Sequence, residues 1–181
     1  MIRLHIVVEG QTEEAFVKRL LLDHLAGLNV FTDVRCVQTG KKKGKKFSGG
    51  IFSYTKLRND LLRWMKEDAR PEARFTTMVD LYSLPADFPG ILNASSIKNP
   101  QEKVIYLENT FAQDIADPRF VPYLQLHEFE ALIFVNPDKL NLEFIGREQP
   151  IRKAKFPTQF WATLTPTSET WTLQELINEL E

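Results

Sequence analysis

Three short acidic stretches close apolar runs of strand length: Val7-Val8-Glu9-Gly10-Gln11-Thr12-Glu13-Glu14, Met78-Val79-Asp80-Leu81-Tyr82 and Leu126-His127-Glu128-Phe129-Glu130-Ala131-Leu132. In an open α/β sheet the carboxyl ends of the strands share one edge, and ligands collect outside it. Carboxylates brought to that edge by three strands repel one another unless a hard cation stands among them. That points to an oxygen-ligand Mg²⁺ or Mn²⁺ site. Glu9 and Glu13 lie four residues apart across a strand-to-helix turn and can face one cavity; helix first turns are also acid-rich for dipole reasons alone. Asp80 ends an apolar run, where Asp is depleted and a charge needs a partner. A neighbouring Arg or a turn cap answers that need as well as a metal does. Glu128 and Glu130 share a side only while the backbone stays extended. A single His lacks ligand-pair spacing, so His127 reads as a hydrogen-bonded structural residue. Asp87 reads as a turn former or helix cap. The natural chemistry of such a cluster is phosphodiester cleavage, because paired cations activate water and stabilise the leaving oxygen without a covalent intermediate.

A basic segment supplies a counterpart. Arg35, Lys41, Lys42, Lys43, Lys45 and Lys46 form a dense positive run in a chain whose net charge is −1. It reads as a contact to a DNA or RNA backbone without base specificity, or as a solvated loop serving solubility. Gly40 and Gly44 do not make a phosphate-cradling P-loop, because the Gly-Lys-Ser/Thr that opens a helix is missing. Neither a Gly-x-Ser-x-Gly elbow nor a Gly-x-Gly-x-x-Gly dinucleotide fingerprint occurs. Cys36 is the only cysteine, which excludes an intramolecular disulfide and a thiolate zinc cluster; it reads as a core residue.

The elements that must carry these residues alternate. Residues 2–8 read as a strand, followed by a helix capped by Thr12 with Phe16, Val17, Leu20, Leu21 and Leu25 on its apolar face. Residues 30–38 read as a strand, 51–69 as a helix that Pro71 ends, and 75–81 as a strand closing on Asp80. A helix over 100–115 begins with Pro100 in its first turn. Residues 120–126 read as a strand with Pro122 at an edge or bulge, 128–134 as a short helix and 172–180 as a terminal one. Trp161 and Trp171 read as core aromatics. At 181 residues, 43% hydrophobic and 26% charged, this is a globular α/β chain with an open, mostly parallel sheet of about four strands flanked by helices. The expected division is a domain over 1–140 and a short C-terminal segment over 141–181. No apolar run approaches the roughly 18 residues of a membrane span, and Ile6-Val7-Val8 runs straight into Glu9 without a signal-peptide pattern. The expected location is cytoplasmic, with no membrane association.

The residues from Val8 to Glu13, from Val79 to Gly90 and from Pro122 to Phe134 resemble the bacterial domain-of-unknown-function 4276 family, which is similar to the Toprim domains of topoisomerases, primases and certain nucleases. The resemblance spans about residues 1–140. It implies a Toprim-like fold and a metal-dependent nuclease acting on DNA or RNA. Glu9 would then ligate metal or act as acid/base, Glu13 would be the second glutamate of a Glu-x-x-x-Glu motif, and Asp80 would ligate metal at the strand end. Glu128 or Glu130 would complete the cluster around Mg²⁺ or Mn²⁺. Such relatives are often encoded beside an ABC- or AAA-type ATPase in anti-phage defence, which implies that partner. Two departures stand out: Tyr82 occupies the second Asp of the expected Asp-x-Asp, leaving Asp87 or the Glu128/Glu130 pair to substitute, and the chain after about residue 147 looks short and lacks a clear Lys-containing motif. The alternatives are a catalytically inactive module that docks on a partner ATPase, and a phosphoester enzyme acting on small molecules.

Overall fold

A computed structural model of the chain describes residues 1–37 and 53–127, which belong to one compact unit, Met1–His127. Four strands form a single all-parallel sheet in the order β2-β1-β3-β4: β1 is Ile2–Val8, β2 Val30–Cys36, β3 Ala73–Asp80 and β4 Leu124–Gln125. The expected α/β architecture is therefore present. Val8 pairs with Cys36 on one side and with Met78 on the other, while Asp80 pairs with Gln125. With every strand running the same way, all four carboxyl ends meet at one edge.

The first crossover begins at Gln11, with Gly10 rather than Thr12 at its cap. It is helical in three parts: α1 (Gln11–Phe16), a π-helical turn (Val17–Leu21) and α2 (Leu22–Ala26). Val17, Leu21 and Leu25 are buried, but Leu20 is 62% exposed. The wider π turn explains this departure. Residues four apart stay on one face there, whereas residues three apart rotate away from it.

The second crossover is α3 (Tyr54–Glu67), burying Tyr54, Leu57, Leu61, Trp64 and Met65. It starts at the carboxyl edge, where Asp87 in the loop beyond β3 accepts from the Tyr54 backbone N–H at 2.9 Å and from the Ser53 hydroxyl at 3.1 Å. It ends near the amino end of β1. There Asp68 accepts from Arg3 at 3.2 Å and from Arg70 at 2.7 and 2.8 Å, and meets His5 Nε2 at 2.8 Å. The Arg70 guanidinium holds Asp68 well below the usual carboxylate range, and burial lowers His5 despite that anionic neighbour. Arg119 ties in the same corner through the carbonyls of Asp68 and Met65.

The third crossover carries a 3₁₀ turn (Leu81–Ser83), the one-turn α4 (Ile91–Ala94) and α5 (Pro100–Ile115). Asn99 caps α5 through its side chain, accepting from the N–H of Gln101 and Glu102, and Pro100 sits in the first turn as expected. Gly90 has φ +79°, and a Cβ there would stand 2.8 Å from Thr110 Oγ1. Only glycine meets both the left-handed backbone and the close approach of α5. Tyr54, Phe88, Phe111 and Phe120 form an edge-to-face aromatic chain, with centroids 4.7–5.6 Å apart, that fuses α3 and α5 over β3. The predicted strand over 120–126 is shorter in fact. Phe120 makes an isolated bridge to Phe75, and ladder pairing resumes only at Leu124. Pro122, which has no N–H to give, lies in the gap. Among the described residues no helix is long and apolar enough to cross a membrane.

Candidate functional site

In a 2-1-3-4 order the chain leaves β1 toward β2 on one side and returns to β3 on the other, so the crevice outside the ends of β1 and β3 is the switch point at which open sheets bind ligands. Glu9 follows β1 directly and Asp80 is the last residue of β3. Because Val8 is paired with Met78, the two carboxylates stand just past neighbouring paired ends. Both residues are half-buried.

Ser83 links the two chain segments, and neither motif foretold it. Its hydroxyl lies within hydrogen-bonding reach of Glu9 Oε2 and, at 3.0 Å, of the Asp80 carbonyl. One hydroxyl has one hydrogen, so it donates to one acceptor at a time. Donation to Glu9 fastens the 3₁₀ turn after β3 across to the end of β1, whereas donation to the Asp80 carbonyl closes the turn on itself. Glu13 sits in the first turn of α1, and its Oε2 would come within 3.1 Å of a Cβ placed on Gly10. Its carboxylate therefore folds back over the turn that links it to Glu9, and a side chain at position 10 would crowd it.

Glu14 and Cys36 close the flank. Glu14 accepts from Lys18 at 2.6 Å and from the Cys36 thiol at 3.2 Å, and the thiol also reaches the Gly10 carbonyl at 3.2 Å. Burial and the Glu14 carboxylate push Cys36 up to about 12. Cys36 is half-buried at the end of β2, not a core residue as expected, and its neutral thiol is no nucleophile. Asp87 does cap α3. The Tyr54 backbone N–H, then Ser53, hold its carboxylate below the ordinary value, so its two oxygens are committed to that helix end.

On the other flank is a second residue the motifs missed. Glu108, on α5, is only 8% exposed and accepts from the Leu124 backbone N–H at 2.8 Å, fixing the first residue of β4. Burial pushes it up to about 7, against the opposing effect of that hydrogen bond. The sequence held a signal: Glu108 continues the stripe of Val104, Phe111 and Ile115, an acid on an apolar face. Tyr123 donates to Gln125 Oε1 at 2.6 Å, and burial, with the charges of Glu108 and Asp80, raises its phenol to about 12. Thr77 Oγ1 donates to the Tyr123 carbonyl at 2.8 Å, replacing a ladder bond in the gap before β4. His127 lies two residues past β4, half-buried.

Two carboxylates at adjacent strand ends suit part of the coordination shell of a hard divalent cation. Among the described residues, however, no three His, Cys, Asp or Glu side chains gather closely enough to hold a metal ion. Glu9, Glu13 and Asp80 thus do not make a complete site by themselves. Glu128 and Glu130, the remaining expected ligands, lie outside the described residues, as do Lys41, Lys42, Lys43, Lys45 and Lys46. The two ends of the lysine-bearing segment are described. Val37 donates to the Val8 carbonyl at 3.0 Å beside the start of Glu9, and Ser53 is bound to Asp87 beyond β3. Both ends lie at the carboxyl edge.

No curated protein and no solved structure matches the chain. A family model described as Domain of unknown function (DUF4276) matches residues 8–172, beginning at the strand end that bears Glu9 and running on past the residue-140 limit of the motif resemblance. The chain belongs to the domain-of-unknown-function 4276 family.

Proposed function

We propose that this chain is a Toprim-like, divalent-cation-dependent nuclease that hydrolyses phosphodiester bonds in DNA or RNA. One observation carries the reading: adjacent parallel strands deliver Glu9 and Asp80 to the switch point between β1 and β3, the edge where the lysine-bearing segment departs and returns. Bound Mg²⁺ or Mn²⁺ supplies water activation and neutralisation of the leaving oxygen. The chain's own residues do the rest. Glu9 and Asp80 would hold the cation, and Glu13 would add a further acid in the first helical turn; the family resemblance adds Glu128 or Glu130 to the oxygen set. When its hydroxyl donates to Glu9, Ser83 orients that carboxylate. Lys41, Lys42, Lys43, Lys45 and Lys46 contact the phosphate backbone, so affinity falls with salt. The family resemblance supports a role as effector of an anti-phage defence complex with an ABC- or AAA-type ATPase.

A second reading is favoured by one specific finding, that no three ligands gather among the described residues. In that case the chain is a catalytically inactive module that docks on the ATPase. Titration calorimetry with MgCl₂ and MnCl₂ separates the two, run on the wild type, Glu9→Gln and Asp80→Asn beside cleavage of labelled oligonucleotides. The nuclease reading expects binding by the wild type, and at least tenfold weaker binding and no cleavage in both variants. A wild type that binds neither cation refutes it in favour of the docking module.

A further inference from the structure

We propose that Tyr82 is a stacking platform for an unpaired base beside the acidic edge, which makes single-stranded DNA or RNA the substrate class. The substrate assignment rests on the nuclease reading, whereas the stacking does not need cleavage. Tyr82 follows Asp80 by two residues within the 3₁₀ turn Leu81–Ser83. Its neighbours are all committed inward. Leu81 and Leu84 pack on the core, and the Ser83 hydroxyl is turned toward Glu9 and the Asp80 carbonyl. Tyr82 alone among the four faces out, 70% exposed, the most exposed aromatic side chain among the described residues.

An aromatic ring left in water forgoes burial that large side chains ordinarily gain. The ring projects from a backbone held at the positions before and after it, so little freedom is lost when something stacks on it. Every nucleobase offers a π face of the right size, and stacking on aromatic side chains is how sequence-tolerant single-strand binders hold their ligand. In a duplex both faces of a base are covered by its neighbours. An unpaired base can turn onto the ring while its own phosphate lies toward the strand end that bears Asp80, two residues away. The tyrosine thus stands where the motif would have placed a second acid, and it adds selection for strandedness instead of a ligand.

The test uses the full chain with CaCl₂ present, which fills oxygen-ligand sites and neutralises the acidic edge. Fluorescence anisotropy compares a single-stranded oligonucleotide with its matched duplex for the wild type, Tyr82→Phe and Tyr82→Ala. The Ala variant is expected to lose roughly ten- to hundredfold in single-strand affinity, the usual effect of removing one stacking ring. The Phe variant should stay within about twofold of the wild type, and duplex affinity should not change. Photocrosslinking of a 5-iodouracil oligonucleotide should map to Tyr82. The proposal is overturned if Ala binds single strands as the wild type does, if it loses equally on duplex, or if the wild type binds no oligonucleotide. Unchanged strand preference in Tyr82→Ala, with cleavage still dependent on Glu9 and Asp80, removes this proposal alone. A crosslink at Tyr82 with neither cation binding nor cleavage supports the stacking and refutes the nuclease reading.

Discussion

Glu108 makes stability depend on pH in a direction opposite to most carboxylates, and Glu108→Gln isolates the effect. In the folded chain its carboxyl lies at about 7, against 4.5 for the ordinary group, because it is buried on α5. Between those values the folded state binds more protons than the unfolded chain, so stability falls as pH rises. The contribution is fully present below pH 4.5 and is lost as pH passes through about 7. At about 1.4 kcal/mol per pH unit the loss is roughly 3 kcal/mol. Gln keeps a carbonyl oxygen for the Leu124 N–H but cannot ionise. Relative to the wild type, Glu108→Gln should gain roughly 2.5 kcal/mol between pH 5 and pH 8, because part of the change already falls between pH 4.5 and 5. In urea unfolding that is a change in the midpoint gap on the order of 1–2 M. Taking the difference of differences cancels every other titrating group common to both proteins. A gap between variant and wild type that is the same at pH 5 and pH 8 refutes the argument. It would mean that Glu108 meets water or a counter-charge that the geometry does not include.

Two further outcomes follow from the flanks of the site. Asp87→Ala removes the side-chain cap of α3, from outside that helix, and should lower stability by about 1 kcal/mol in urea unfolding; a cost below a few tenths would show that water replaces it freely. Cys36, pushed up to about 12, should react with iodoacetamide at pH 8 about a thousandfold more slowly in the folded chain than after denaturation, and folded-state labelling at the denatured rate would disprove its pairing with Glu14.

β1 and β3 were legible because buried parallel strands are nearly continuous apolar runs, β1 with its true bounds over Ile2–Val8, and the edge strand β2 because its residues alternate. Helix α5 was equally clear, since Pro100 and a 3.6-residue apolar stripe are local signals, although the Asn99 cap was not read. The last strand was not, because its length is set by what Phe75, Thr77 and Val79 leave available across the sheet. Leu20 was read inward because nothing in a sequence announces a π turn. The site divides in the same way. Glu9 and Asp80 end apolar runs and were visible. Ser83 was not, because its partner Glu9 lies 74 residues away and a serine in a Leu-Tyr-Ser-Leu-Pro turn carries no pattern. The same distance problem hides Asp68, whose neighbours Arg3 and His5 are 65 and 63 residues off.

The placement of β1 has a consequence for biosynthesis. Its residues are made before those of the other three strands, yet it lies inside the sheet, and its partner on one side begins at Ala73, 70 residues after Arg3. At about 5–20 residues per second, a ribosome needs roughly 4–14 s to bring that partner out. Throughout that interval one side of Ile-Arg-Leu-His-Ile-Val-Val has backbone donors and acceptors with no native strand to meet them. The nascent chain is then open to pairing with other strands, and slowing translation between residues 37 and 73 should increase aggregation during synthesis instead of aiding folding.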